Sequence, residues 1–206
     1  MSRLAGMFRL VAMLVPAAVT LGLTVPAASA APPAVHTDAD LTALWTQVLE
    51  TPNPQPFSAT PGGNPCWVLP DGTVAPFGPN GVPSCTVKPG TKILVVGSSF
   101  ECSTFPGDTN PVSPTEAQLR ACAVSNDAKS APPLTVDGQP VPVKEVQTSL
   151  MHITLPDSNV FGDLAGMTGL SAGHGWITHL DPLTPGTHTL SSPVFGTTKI
   201  VVASGS

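Results

Sequence analysis

Hydrophobic positions along this chain fall into one long run, two helical stripes and a series of short alternating segments. The long run is Leu10 to Val25, apolar except for Pro16, Thr20 and Gly22. Arg3 and Arg9 precede it, and Ala28-Ser29-Ala30 ends it. A positive start, an apolar centre and small residues at the cleavage positions are the three parts of a secretory signal. A membrane anchor is the competing reading, but spanning takes about 20 apolar residues, and this run is shorter and broken by Pro16. No cysteine follows the cleavage site, so no lipid attachment is expected. Residues 1–30 are therefore read as a cleavable signal peptide, with a secreted or envelope-located mature chain beginning at Ala31. No second apolar run is long enough to span a membrane.

The first helical stripe is Leu41, Leu44, Trp45, Val48 and Leu49. These positions share one face at 3.6 residues per turn. Thr37 is placed as the cap, with Asp40 three residues on as in a capping box. Pro52 stops the helix. The stripe is expected to pack on the core. A Pro-rich connector follows (Pro52, Pro54, Pro56, Pro61) and is read as an extended surface segment. Helix and connector make up residues 31–63, and a β domain makes up 64–206.

Short strands are predicted at Cys66 to Leu69, Thr73 to Pro76, Ser84 to Val87 and Lys92 to Gly97. The run Ile93-Leu94-Val95-Val96 suits a strand buried on both faces. Ser113-Pro114-Thr115-Glu116 predicts a second helix start, with Ser113 at the cap and Pro114 at the first helical position. That helix carries Leu119, Cys122 and Ala123 and stops near Ser125. Asp137-Gly138 signals a hairpin turn between Leu134–Val136 and Val141–Val143. Glu145 to Leu155 alternates as one longer strand. Pro156 to Ser171 has no period and is read as a Gly-rich loop. Gly175 to Leu180 and Thr187 to Ser191 are read as a hairpin around Asp181-Pro182-Leu183-Thr184-Pro185-Gly186. Thr197 to Val202 is the last strand. Strands at this spacing indicate a sandwich or barrel.

Composition agrees with that class. About 175 residues follow the signal, enough for one domain with a core. Charged residues are 10% of the chain, and Pro and Gly number 25 and 19, as suits many turns and few exposed helices. Loss of Arg3 and Arg9 takes the formal charge from −5 to −7. A nucleic-acid partner would want a basic stripe, and anionic lipid would want basic clusters; neither partner is expected. The four cysteines, Cys66, Cys85, Cys102 and Cys122, lie in the exported part and read as two disulfides. Cys66–Cys85 and Cys102–Cys122 are preferred among three connectivities because each links neighbouring segments. A zinc site would want C-x₂₋₄-C pairs, and no two of these cysteines are that close.

Leu155-Pro156-Asp157-Ser158-Asn159-Val160-Phe161-Gly162, Gly175-Trp176-Ile177 and Pro182-Leu183-Thr184-Pro185-Gly186-Thr187-His188-Thr189-Leu190 form a connected set of motifs. Together with Cys85-Thr86-Val87-Lys88-Pro89-Gly90-Thr91-Lys92, and with the Trp45 helix ahead of its Pro-rich connector, they resemble a widespread group of uncharacterised secreted bacterial and archaeal proteins. The resemblance implies a jelly-roll-like antiparallel β-sandwich and implies no activity. The chain departs from that pattern at Ser191-Ser192, where an apolar or aromatic residue usually stands.

Candidate chemistry is sparse. Gly169-Leu170-Ser171-Ala172-Gly173 matches the G-x-S-x-G elbow, whose serine sits on a tight strand-to-helix turn. Ser171, Asp181 and His188 follow the hydrolase order, but strand–helix alternation is missing, so an esterase-like hydrolase is the alternative function. His152, His174, His179 and His188 cluster late. If Leu180 faces Thr187, then His179 faces His188, and a cross-strand pair could hold a ligand or metal. Met151 and Met167 would suit copper. The structural reading of His188 is an inward side chain bonding the turn at Pro185-Gly186. Asp157, Asp163 and Asp181 could serve glycoside hydrolysis only as a facing pair, and no calcium loop or phosphate-cradling loop is present. No cofactor is expected. Carbohydrate or another envelope component is the ligand class considered, although the chain has no Tyr and Trp45, Trp67 and Trp176 are expected in the core. The reading is a secreted, disulfide-linked β-sandwich that binds rather than catalyses.

Overall fold

A computed structural model describes residues 36–58, 65–78, 81–106, 114–162 and 164–204. The predicted signal peptide, residues 59–64 of the connector, Ser113 and Asp163 lie outside the described residues. Helix α1 spans Ala39–Glu50. Its cap is Asp38, one residue later than expected, and the Asp38 carboxylate accepts from the Leu41 amide at 3.0 Å. Leu41, Leu44, Val48 and Leu49 are buried. Helix α2 spans Glu116–Asn126, capped by Thr115 in a reciprocal box with Gln118. Thr115 takes the cap in place of Ser113 because the partner three residues on is Gln118, whose side chain accepts from the Thr115 amide at 2.8 Å.

The strands are β1 (Trp67–Val68), β2 (Val74–Ala75), β3 (Ser84–Val87), β4 (Ile93–Ser103), β5 (Leu134–Val136), β6 (Gln139–Val141), β7 (Lys144–Gln147), β8 (Met151–Thr154), β9 (Thr168–Leu180), β10 (Gly186–Ser192) and β11 (Gly196–Val202). They form two sheets. The first runs β1-β2-β4-β9-β7, with β8 also on β9. The second runs β3-β11-β10-β5-β6. Ile93 and Val95 of the first sheet pack with Cys85, Leu134, Leu190 and Ile200 of the second, so the protein is a β-sandwich. The opposite face of the first sheet carries α1: Leu41 and Leu44 pack with Leu94, Val96 and Ile177. Helix α2 covers the far end of the sandwich face through Leu119 and Ala123 on Cys102 and Ala172.

Four expectations need correction. The sheets are mixed and not wholly antiparallel: β2 runs parallel to β4, and β3 parallel to β11. The segment 145–155 is two strands, because Thr148 leaves the ladder register and its hydroxyl accepts from the Gly173 amide at 2.8 Å. The supposed loop up to Ser171 already belongs to β9 from Thr168 onward. Finally, β9 and β10 are not a hairpin. β9 pairs with β4, β7 and β8, and β10 pairs with β11 and β5, so residues 181–185 carry the chain from one sheet to the other.

Glycine marks the points of closest approach. The β4–β9 register shifts between Val96 and Ser98. A Cβ on Gly97 there would lie 2.8 Å from Pro132 Cγ, which explains a glycine at the bulge. The Asp137-Gly138 turn has φ of 50° and 75°, the positive pair that a type I′ hairpin requires.

Both disulfides have the preferred connectivity, Cys66–Cys85 and Cys102–Cys122. The first ties the segment leading into β1 of one sheet to β3 of the other. The second ties β4 to α2. Among the described residues no helix is long and apolar enough to cross a membrane.

Candidate functional site

The residues singled out by sequence do not meet. Ser171 is fully buried inside β9, where its hydroxyl donates to the Glu101 carboxylate at 2.5 Å. It sits on a continuous strand and on no elbow. Asp181 lies ten residues further along the chain, just past the end of β9, roughly 30 Å away at the rise of an extended strand. His188 belongs to the other sheet, opposite Ile200. The three cannot act on one bond, so the hydrolase arrangement is absent.

The histidines are separated too. His152 is exposed on β8, whereas its neighbour Met151 is buried beside Leu49 and Phe105. His179 donates to Asp40 at 3.0 Å at the start of α1, with Asp38 3.7 Å away. His188 is 15% exposed and shares the inner face of the second sheet with Leu190 and Ile200. Its Nδ1 donates to Asp137 at 2.7 Å and its Nε2 to the Thr184 carbonyl at 2.8 Å. Acceptors at both nitrogens favour the protonated ring. Asp137 and the Thr184 carbonyl accordingly raise its pKa above the ordinary 6.5. An NMR titration should show this, and Asp137→Asn should return the midpoint toward 6.5; an unshifted wild-type midpoint would refute the assignment. Among the described residues no three His, Cys, Asp or Glu side chains group as metal ligands.

His174 is the buried exception. Its side chain is 2% exposed, with Nδ1 2.7 Å from Asp127 and Nε2 2.9 Å from Glu145. Burial pushes the pKa down, but the two carboxylates outweigh it through hydrogen bonds and charge, and the net shift is upward. Both nitrogens are occupied, so the ring has no free atom for acid–base chemistry. The cluster is a structural clamp. It pins the end of α2 to β9, beside the bond from the Trp176 indole to the Ala128 carbonyl at 2.9 Å.

An apolar concavity lies on the α1 side of the first sheet. It is a cleft of about 690 Å³, within the range of small-molecule sites. Helix α1 supplies Trp45, Val48 and Leu49, and β4 supplies Ser99, Phe100 and Glu101. Phe57, Phe77 and Phe195 come from three separate turns and connectors. Trp45, Phe77 and Phe195 form an edge-to-face ladder, with centroids 5.5 and 5.7 Å apart. Val160 and Phe161 close the rim and are 40% and 36% exposed. The loop that carries them is built by Asn159, whose side-chain oxygen accepts from the Phe161 and Gly162 amides at 2.9 and 3.1 Å. Gly162, at φ +92°, completes that turn. The Asn and Gly singled out in the Leu155–Gly162 motif therefore serve to present two apolar side chains.

Polar groups of the cleft are mostly engaged. The Trp45 indole donates to Ser99 Oγ at 2.8 Å, and that hydroxyl donates to the His174 carbonyl at 2.6 Å. Gln55 Nε2 donates to the Thr51 carbonyl at 2.8 Å, which leaves its Oε1 buried with no partner among the described residues. Trp45, Phe57, Phe77, Phe161 and Phe195 bring five of the chain's ten aromatic side chains to this one cleft, while the Phe100 side chain shares the other face of the sheet with His174. Trp45 belongs here and is not, as expected, wholly in the core. The rings stand between positions 45 and 195, on a helix and separate turns, and share no sequence spacing that marks them.

No family model, curated protein or solved structure matches the chain.

Proposed function

We propose that this chain is an exported binding protein of the cell envelope or medium, and that the aromatic cleft beside α1 is its ligand site. The convergence of five aromatic side chains on one open concavity carries the reading. Aromatic rings bury 150–250 Å² each when covered, and a monomer gains little by leaving several at a cleft unless something covers them. Two disulfides fit an oxidising compartment. The resemblance to secreted β-sandwich proteins of jelly-roll type points to the same compartment. An apolar or amphiphilic small molecule suits the walls. A sugar would need many free polar partners, and most polar groups here are already bonded within the protein.

Nile red should bind the wild type with enhanced emission. Phe161→Asp, on an exposed rim loop, should weaken that binding at least tenfold with circular dichroism unchanged. Equal affinity in the variant would exclude the cleft as the site.

A further inference from the structure

The walls of the cleft form one apolar track. Phe77 and Phe195 belong to the apolar cluster that holds Leu41 and Leu44, and Phe161 touches Phe105 of the cluster that holds Leu49. Trp45 packs against both clusters, so its indole stands between the two ends. Along α1, Leu49 lies four residues beyond Trp45, about 6 Å on. The rings do not form a slot. Trp45 and Phe77 meet at 72°, and Phe77 and Phe195 at 71°, so neither pair offers parallel faces to a flat ligand. A polymethylene chain lies equally well against edges and faces, because burial and dispersion are undirected.

Resting on the reading of the cleft as a ligand site, we infer that its ligand is a single-chain amphiphile, recognised by an alkyl tail that lies along the ring track while the polar head stays in solvent. Nothing in the track receives a head group. Among its described lining residues there is no Lys, Arg or His. Glu101 is buried and bonded to Ser171, and the Trp45 indole and the Ser99 hydroxyl are bonded to each other. The tail enters past Val160 and Phe161, which are exposed at the rim, and runs by Trp45 and Phe77 to Phe195.

Calorimetric titration of the protein with n-octyl, n-decyl and n-dodecyl maltoside, each below its micelle concentration, tests this. Each added pair of methylenes should raise the affinity about fivefold or more, toward the roughly fifteenfold of complete burial. Dodecyl maltoside should also displace Nile red. Phe195→Ala, with circular dichroism unchanged, should weaken dodecyl maltoside several-fold more than octyl maltoside, because only the longer tail reaches that end. Should this variant disturb folding, the wild-type series decides the matter. Equal affinities across the series, with Nile red bound, would overturn the tail inference and leave a compact apolar ligand in the cleft. Sedimentation with phosphatidylcholine vesicles, or a stable dimer, with no maltoside bound, would overturn it too and assign the rim to a bilayer or to a second copy of the chain. Failure of Nile red and of every maltoside would remove the site itself.

Discussion

Asp127→Ala is expected to lower stability by about 3–5 kcal/mol, the cost of removing one partner from a buried ion pair. Asp127 and His174 side chains are each 2% exposed, so neither water nor salt can replace what is lost. The remaining partner, Glu145, is 56% exposed and holds the ring from its outer side only. The pH dependence has a definite sign. The His174 pKa is raised in the fold above its ordinary 6.5, so the unfolded chain loses its proton first. The stabilisation is complete below pH 6.5 and is lost as the pH rises through the folded value. Urea unfolding between pH 5.5 and 9, as roughly spans that window, should therefore show wild-type stability falling on the alkaline side, with a flatter curve for Asp127→Ala. His188 adds a change of the same sign and is present in both proteins. A variant within about 1 kcal/mol of wild type, below the range for a broken buried pair, would mean that the clamp bears no load.

The second large effect concerns the bridge between β4 and α2. Cys102 and Cys122 are 20 residues apart, and closing a loop of this size is worth about 3 kcal/mol in the chain-entropy model. Replacing both with alanine should lower the unfolding midpoint accordingly. It should also raise amide exchange across Glu116–Asn126 ahead of the rest of the fold. Without the bridge, α2 keeps Leu119 and Ala123 on the sheet, the Arg120 bond to the Thr148 carbonyl and the Asp127 clamp. The Cys66–Cys85 bridge closes a loop of nearly equal length but joins the two sheets. Its removal should loosen β3 and leave α2 exchange unchanged. Identical exchange patterns in the two double variants would contradict this division of labour.

The parts of the fold legible in the sequence are those with local causes. The α1 stripe, the cysteine pairs and the Asp137-Gly138 turn each depend on residues close together in the chain. Strand β9 was hidden by its glycines. Gly169 reads as a loop residue and Gly173 as part of the elbow-like pattern, yet both belong with Gly175 to one central strand, where their missing side chains admit their neighbours. A Cβ on Gly173 would lie 3.0 Å from Trp45 Cδ1, and one on Gly175 would lie 3.1 Å from Leu41 Cδ2. The false hairpin arose because Asp181 to Gly186 has turn chemistry, and turn chemistry does not say which sheet the next strand joins. His174 could not be assigned, since its partners lie 47 and 29 residues away. The cleft was illegible for the same reason: its rings are brought together only by the packing of α1 and the turns around β4.

The parallel pairing of β3 with β11 bears on the order in which the chain can fold. β11 sits between β3 and β10 in the second sheet, and the Thr198 hydroxyl reaches the Val82 carbonyl across 116 residues of sequence. Among the described strands β3 pairs only with β11 in that sheet, so it must wait until Gly196–Val202 has been synthesised. Such distant pairing slows folding. The second sheet therefore reaches its full strand order only once two segments more than 100 residues apart, Ser84–Val87 and Gly196–Val202, have met.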